Sequence, residues 1–355
     1  MHRLWRDVGW TGALVLAVLA SWMLWSLAGA ARADLGLRPA LPYLLCPPVL
    51  VAGVVAGMTL RRHALSPGMP VALLVTSCAL VLGAVLVVEP GKAPLGYANA
   101  NAAMAVQLAA LAGLALLARP TDGAGVTGRE ADRGSHALLV ATILLAASAV
   151  VLNRSAAGVA VVLQVLLAVA IAVRRRPTAT WWRLAATGLG ALTCAVAGTV
   201  IVQAARAPAF PGWAVAAFDP VREQLWHDAV ALWRAQPLAG SGPGSFAQST
   251  SLSRDPDTLA AHSSVLQLGA ETGWVGVGFL ALVGLAGLLW VARGNAAEAV
   301  VGAAAWTALF VHSTADHLVE FGPVVLLAGA VVGWAGASAR SEELDVTERE
   351  RPLPG

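Results

Sequence analysis

Apolar residues in this chain come in long, nearly unbroken runs instead of the short alternating rhythm of a soluble sheet or the striped rhythm of a soluble helix. A hydrocarbon core about 30 Å thick takes roughly 20 helical residues to cross. Runs of that size, bounded by charge, Pro or Gly, predict ten spans at 9–30, 41–60, 70–89, 98–118, 137–153, 156–173, 184–204, 273–292, 297–314 and 322–339. The fifth and sixth meet at Asn153-Arg154, and the ninth ends in a polar stretch that carries His312, Asp316, His317 and Glu320. The expected fold class is therefore an all-α integral membrane protein, about ten transmembrane helices over residues 1–339, with a charged tail at 340–355 predicted to be disordered.

Composition agrees: 58% of residues are hydrophobic and only 12% charged, more apolar surface than a soluble domain of 355 residues can hide. The net charge of +3 is spread over short clusters between apolar runs, which excludes the basic footprint of a nucleic-acid binder. Those clusters set the topology. With the N-terminus in the cytoplasm, fifteen of the 23 basic residues face inward, among them Arg61, Arg62, Arg174, Arg175 and Arg176. The positive-inside rule then gives cytoplasmic N- and C-termini and one large extracytoplasmic loop at 205–262. The first apolar run is too long for a signal peptide, and Ala31-Arg32-Ala33 makes a poor cleavage site, so a retained first helix is expected. Cys46, Cys78 and Cys194 all fall in apolar runs without metal-ligand spacing and read as packed thiols.

Most of the candidate chemistry lies in the loop. Asp219 before Pro220 is a helix start, and Pro237 cannot continue the ladder, so a helix is predicted from about 220 to 234. On it Arg222, Trp226, Ala229 and Trp233 share a face, giving an amphipathic helix expected to lie along the membrane interface. Arg222 there either snorkels to headgroups or pairs with phosphate oxygens. The glycines of Gly240-Ser241-Gly242-Pro243-Gly244 permit a nest of inward-facing amides for an anion, or simply a tight turn. His262, at a water–membrane boundary, is a proton acceptor near neutral pH or a surface residue.

Read together, REQLWHDAVALWRAQPLAGSGPGSF at 222–246 and AHSSVLQLGAETGWVG at 261–276 resemble the signature of the O-antigen ligase and polymerase family of bacterial membrane glycosyltransferases. The matching positions are Arg222, Trp226, Pro237, Leu238, Gly240, Gly242, Pro243, Gly244, Phe246, His262, Leu266, Gln267, Glu271, Gly273 and Gly276. Upstream, Asn99 and Asn101 resemble the family's "N.N..A" and Asn153-Arg154-Ser155 its "SRG/SRS" segment, with Asn153 in place of the usual Ser; Ser263 stands where the family has Asn. The resemblance implies a GT-C-like membrane enzyme that moves a glycan from undecaprenyl diphosphate to an acceptor hydroxyl on the outer face of the cytoplasmic membrane. Its partners would be the lipid-linked donor, a glycan, lipid or protein acceptor, and the bilayer, with no cofactor, nucleotide sugar or metal. It implies His262 as base and Arg222 and Arg154 as cations on the diphosphate. Asn99, Asn101, Trp226, Gly242, Gly244, Gln267 and Glu271 line up as further substrate-binding candidates, although helix capping serves the asparagines and loop anchoring serves Glu271 equally well.

Three other readings share the hydropathy. A polysaccharide polymerase of the same family would use the same residues. A peptidoglycan polymerase would need an acidic loop residue in a motif that Asp219, Asp228, Asp255 and Asp257 do not form. A non-enzymatic lipid-linked glycan permease or flippase would need charged or broken helices at mid-membrane, whereas these spans are nearly free of charge.

Overall fold

The computed structural model describes residues 2–63, 66, 68–86, 94–118, 126–254 and 258–349, which are helical with no strand among them. The helices are α1 (His2–Ala33), α2 (Leu41–Arg62), α3 (Gly68–Leu86), α4 (Ala98–Leu117), α5 (Val126–Leu152), α6 (Ala156–Arg175), α7 (Thr180–Arg206), α8 (Gly212–Ala217), α9 (Pro220–Ala235), α10 (Ser245–Ser249), α11 (Ser264–Val291), α12 (Ala296–Thr314) and α13 (Gly322–Arg349). Nine contain membrane-length apolar segments, and the apolar part of α13, Gly322–Ala337, supplies the shorter tenth. The chain is an all-α polytopic membrane protein. The end of the third predicted span and the last tail residues lie outside the described set, and helical backbone continues into the tail as far as Arg349.

α4 is the axis of the bundle. Its span is 94% buried, against 28% for α1, α3 and α5, because α3, α5, α6, α12 and α13 pack around it while the outer helices face lipid. Small residues allow this: Ala100, Ala102, Ala103, Ala105, Ala109, Ala110 and Ala112 bring the neighbouring backbones close, as membrane interfaces require. Gln107, the polar side chain at its middle, spends an amide donor on Ala305 O at 3.1 Å.

The tightest seam joins α2 to α13. A Cβ at Gly57 would lie 1.9 Å from Ala330 O, one at Gly333 2.0 Å from Val54 O, and one at Gly53 2.2 Å from Leu326 O. Main chain rests on main chain there, so the attraction is dispersion between backbones, without side chains to mediate it.

The eighth span differs from its predicted form in an informative way. α11 starts at Ser264 but breaks at Gly273, whose φ of 68° and ψ of −166° are not helical. The predicted boundary at 273 therefore marks a kink inside one element. A short polar helix before the kink carries Gln267 and Glu271, and the apolar span follows it.

Between α7 and α11 the loop folds into a small cap with a core of its own. Phe210, Ala214, Leu225, Trp226, Ala229, Trp233, Phe246 and Leu266 are all buried together. Asp219 caps α9 by accepting from Arg222 N at 2.8 Å, as the sequence predicts. The apolar face of α9 points elsewhere than expected: Trp226 is 0% and Trp233 3% exposed, so neither ring lies in a membrane interface. An inward-facing amphipathic helix and an interfacial one have the same periodicity, and only the cap's own core distinguishes them.

Candidate functional site

Four separate segments meet at the loop-bearing end of the bundle. Tyr97 and Asn99 stand at the start of α4, Arg222 on the first turn of α9, His262 just before α11, and Asp316 and His317 in the turn after α12. The turn is tied to α11 because Ser264 N and Oγ both donate to Asp316 O, at 2.7 and 3.0 Å.

Asp316 is the hub. Its side chain is 1% exposed and accepts from the Tyr97 hydroxyl at 2.8 Å, from Asn99 Nδ2 and from His317 N at 2.8 Å. Arg222 Nη2 lies 3.6 Å from Oδ2, while His317 Nδ1 and His262 Nδ1 lie 3.0 and 3.7 Å from Oδ1. Burial alone would raise this carboxyl. The imidazoles of His262 and His317 and the guanidinium of Arg222 outweigh it and hold Asp316 well below the usual carboxylate range. Burial, reinforced by the Asp316 charge, pushes the Tyr97 hydroxyl the other way, so it stays a proton donor.

The ionised carboxylate fixes the direction of the Tyr97–His262 bond. Tyr97 has one proton, and an ionised carboxylate can only accept, so that proton goes to Asp316. The Tyr97 oxygen is left to accept from Asn99 Nδ2 at 3.2 Å and from His262 Nδ1 at 2.9 Å. His262 therefore donates through Nδ1. Its side chain is 15% exposed, as is that of Arg222, so both edges of the cluster are accessible while its centre is dry.

The backbone marks the same places. Only Asp34, Arg154, Arg176 and His262 combine a side chain with positive φ among the described residues, and two of the four are candidate site residues. Such conformations cost of order 1 kcal/mol or more and persist where surroundings impose them. Arg154, at φ 54°, is exposed in the turn between α5 and α6. The adjacent Ser155 caps α6 and sits 3.5 Å from His312 Nε2, one helical turn from Asp316, so Arg154 belongs to the same end of the bundle.

The remaining sequence candidates fall into a second cluster. Glu271 accepts from Tyr43 at 2.6 Å, Gln267 Nε2 at 2.9 Å and Phe246 N at 3.3 Å. Gln267 in turn accepts from Ala261 N at 2.6 Å. Gly242 and Gly244 do adopt positive φ, 97° and 84°, but their turn is seated on α1 and the segment after it: a Cβ on Gly242 would be 2.3 Å from Ala33 Cβ, and one on Gly244 2.3 Å from Pro39 Cβ. Gly242 N donates to Glu271 O at 2.8 Å and Ser241 N to Ala270 O at 2.9 Å. The amides of Ser241 and Gly242 thus serve main-chain carbonyls of α11, while those of Gly244 and Phe246 serve the Glu271 carboxyl. Asn101 is fully buried and accepts from Leu95 N at 3.1 Å, a helix-start role, and Trp226 is wedged between Phe210 and Phe218. Arg222 already donates to Ala315 O and lies 3.6 Å from Asp219 Oδ2, so a phosphate there would displace internal acceptors.

Sequence reasoning missed Tyr97. One signal was present: the chain has only two tyrosines, and both prove to be partners of buried carboxylates.

Comparison with known proteins adds one result. A family model described as O-Antigen ligase matches residues 141–281, a stretch that includes Arg154, Arg222 and His262 and ends before Asp316. No curated protein matches the chain. On an all-helical membrane bundle, residues 141–281 are thus similar to the O-antigen ligase family, in line with the resemblance carried by the loop motifs.

Proposed function

We propose that this protein transfers a glycan from undecaprenyl diphosphate to an acceptor hydroxyl on the outer face of the bacterial cytoplasmic membrane, without metal or nucleotide sugar. The observation that carries the reading is the chain Asp316–Tyr97–His262, which ends at the partly exposed His262 imidazole, with Arg222 on the same carboxylate, at the seam between cap and bundle. As the acceptor oxygen attacks the anomeric carbon, the His262 imidazole takes its proton. The resulting imidazolium is stabilised through Tyr97 by the buried Asp316 charge, the logic of a hydrolase triad with a phenol interposed.

The bond from the anomeric carbon to the diphosphate breaks with its electron pair, and negative charge grows on the leaving group. Arg222 and Arg154 supply the cations that meet it. For Arg222 this means exchanging Ala315 O for a phosphate oxygen, a switch that releases the guanidinium only when a stronger acceptor arrives. The excess of basic residues at the opposite end of the bundle supports an extracytoplasmic loop and cytoplasmic termini. A polymerase would use the same groups on a lipid-linked acceptor.

The test uses protein reconstituted in vesicles containing chelator, supplied with a synthetic lipid-diphosphate oligosaccharide, with products resolved by mass. Arg222→Ala and His262→Ala are expected to insert normally and to lose at least about 100-fold in rate. Full activity in both variants overturns the proposed site, as would reporter fusions that place 205–262 in the cytosol. Product length separates ligation from polymerisation.

A further inference from the structure

The same end of the bundle holds a set of ligand atoms that proton transfer does not account for. His262, Asp316 and His317 each offer one imidazole nitrogen or carboxylate oxygen, and these atoms lie within 4.8 Å of one another. Oδ1 is 3.0 Å from one imidazole nitrogen and 3.7 Å from the other. A tetrahedral ion with bonds of about 2.0–2.1 Å sets its ligands about 3.3 Å apart, so the three atoms need only small movements to hold one. His317 Nδ1 is buried against Oδ1 as an ion-pair contact at 3.0 Å that lacks hydrogen-bond alignment.

The carboxylate divides its work. Oδ2 meets Asn99 and Arg222, Oδ1 meets the two imidazoles and accepts from His317 N, and the Tyr97 hydroxyl reaches both, so the imidazoles share the oxygen away from the closest guanidinium contact. Local charge favours a cation there: one guanidinium, Arg222, stands among three carboxyl groups, Asp316, Asp219 at 3.6 Å and Glu320, which is in electrostatic reach of both histidines. Two nitrogens and one oxygen suit zinc and its transition-metal neighbours, whereas magnesium and calcium want oxygen alone.

We propose that His262, Asp316 and His317 bind a divalent transition-metal ion of the zinc class, and that the bound ion reversibly switches off glycan transfer. The switch follows from the shared residue. An ion that takes the His262 imidazole as a ligand draws the ring out of its hydrogen bond with Tyr97 and occupies the group that would take the acceptor's proton. Inhibition rests on the transfer reading above; metal binding does not.

The experiment takes the full chain, purified in detergent without a histidine tag, and titrates it with cobalt(II) alone while following the visible ligand-field bands of a low-symmetry site. One saturable equivalent is expected, displaced by zinc(II) and weakened at least about 10-fold in His317→Gln and His317→Ala, whose folding is checked by melting. In parallel, zinc(II) should lower vesicle transfer by the wild-type protein at least about 10-fold, with full recovery on chelation. No saturable band, or equal binding by wild type and a folded His317 variant, overturns the site. Cobalt binding without zinc inhibition overturns the switch. Transfer that fails in chelator while cobalt still binds counts against the transfer reading and leaves the site standing.

Discussion

Both tyrosines of this chain donate to a buried carboxylate, Tyr43 to Glu271 and Tyr97 to Asp316, yet the two pairs do different work. Around Glu271 every bond returns to the protein's own framework: Gln267, Phe246 and the Gly-Pro-Gly turn close over it. Around Asp316 the network ends in two groups with exposed edges, His262 and Arg222. Closure makes the first pair a clasp that holds the cap to the bundle, and the exposed edges give the second a route to a substrate. Residue type and family pattern mark both clusters alike. What separates them is where the hydrogen bonds terminate.

The sharpest way to break this comparison is to neutralise each carboxylate. Asp316→Asn keeps an amide oxygen but loses the buried charge, and should cut transfer per folded molecule by about 1000-fold, as expected when the group that orients and charges a histidine base is lost. Glu271→Ala should act mainly on stability. It leaves the Tyr43 hydroxyl, a Gln267 amide donor and Phe246 N without an acceptor, a cost of about 3 kcal/mol in stability, while rate per folded molecule changes less than 10-fold. Equal effects of the two substitutions on both measurements would erase the distinction.

A smaller effect, about 10-fold in rate, is expected for Tyr97→Phe. Asp316 remains, but the bridge that ties His262 to it does not. The smallest concerns the cap alone. Burial is the largest single influence on the half-buried Asp228 carboxyl and raises it, but bonds from Ser251, Thr250 and Gln224 together outweigh that and lower it. A carboxyl depressed in the folded state contributes stability above its unfolded value of about 3.9 and loses it as pH falls through the folded value. Hydrogen exchange in 250–252 should therefore rise below about pH 4, and Asp228→Asn should abolish that acid-dependent change.

Much of the bundle was legible because lipid imposes a simple rule: apolar runs of membrane length became helices in order, and even the predicted boundary at 273 falls on the Gly273 kink. The orientation of α9 was not legible, since Arg222, Trp226 and Trp233 repeat at helical spacing whichever way the helix faces. His262 and Arg222 stood out through the family pattern in the loop. Tyr97 lay hidden at the start of an apolar run, and Asp316 and His317 were visible only as polar residues near the end of another. Their meeting is a product of four chain segments far apart in sequence, and no local pattern encodes such a junction.

The glycine seam between α2 and α13 also constrains how the protein is made. α13 leaves the ribosome long after α2 has entered the bilayer, so in the interval the groove at Gly53 and Gly57 has only lipid against it. The bundle locks late, when the second helix receives a partner separated from it by most of the polypeptide.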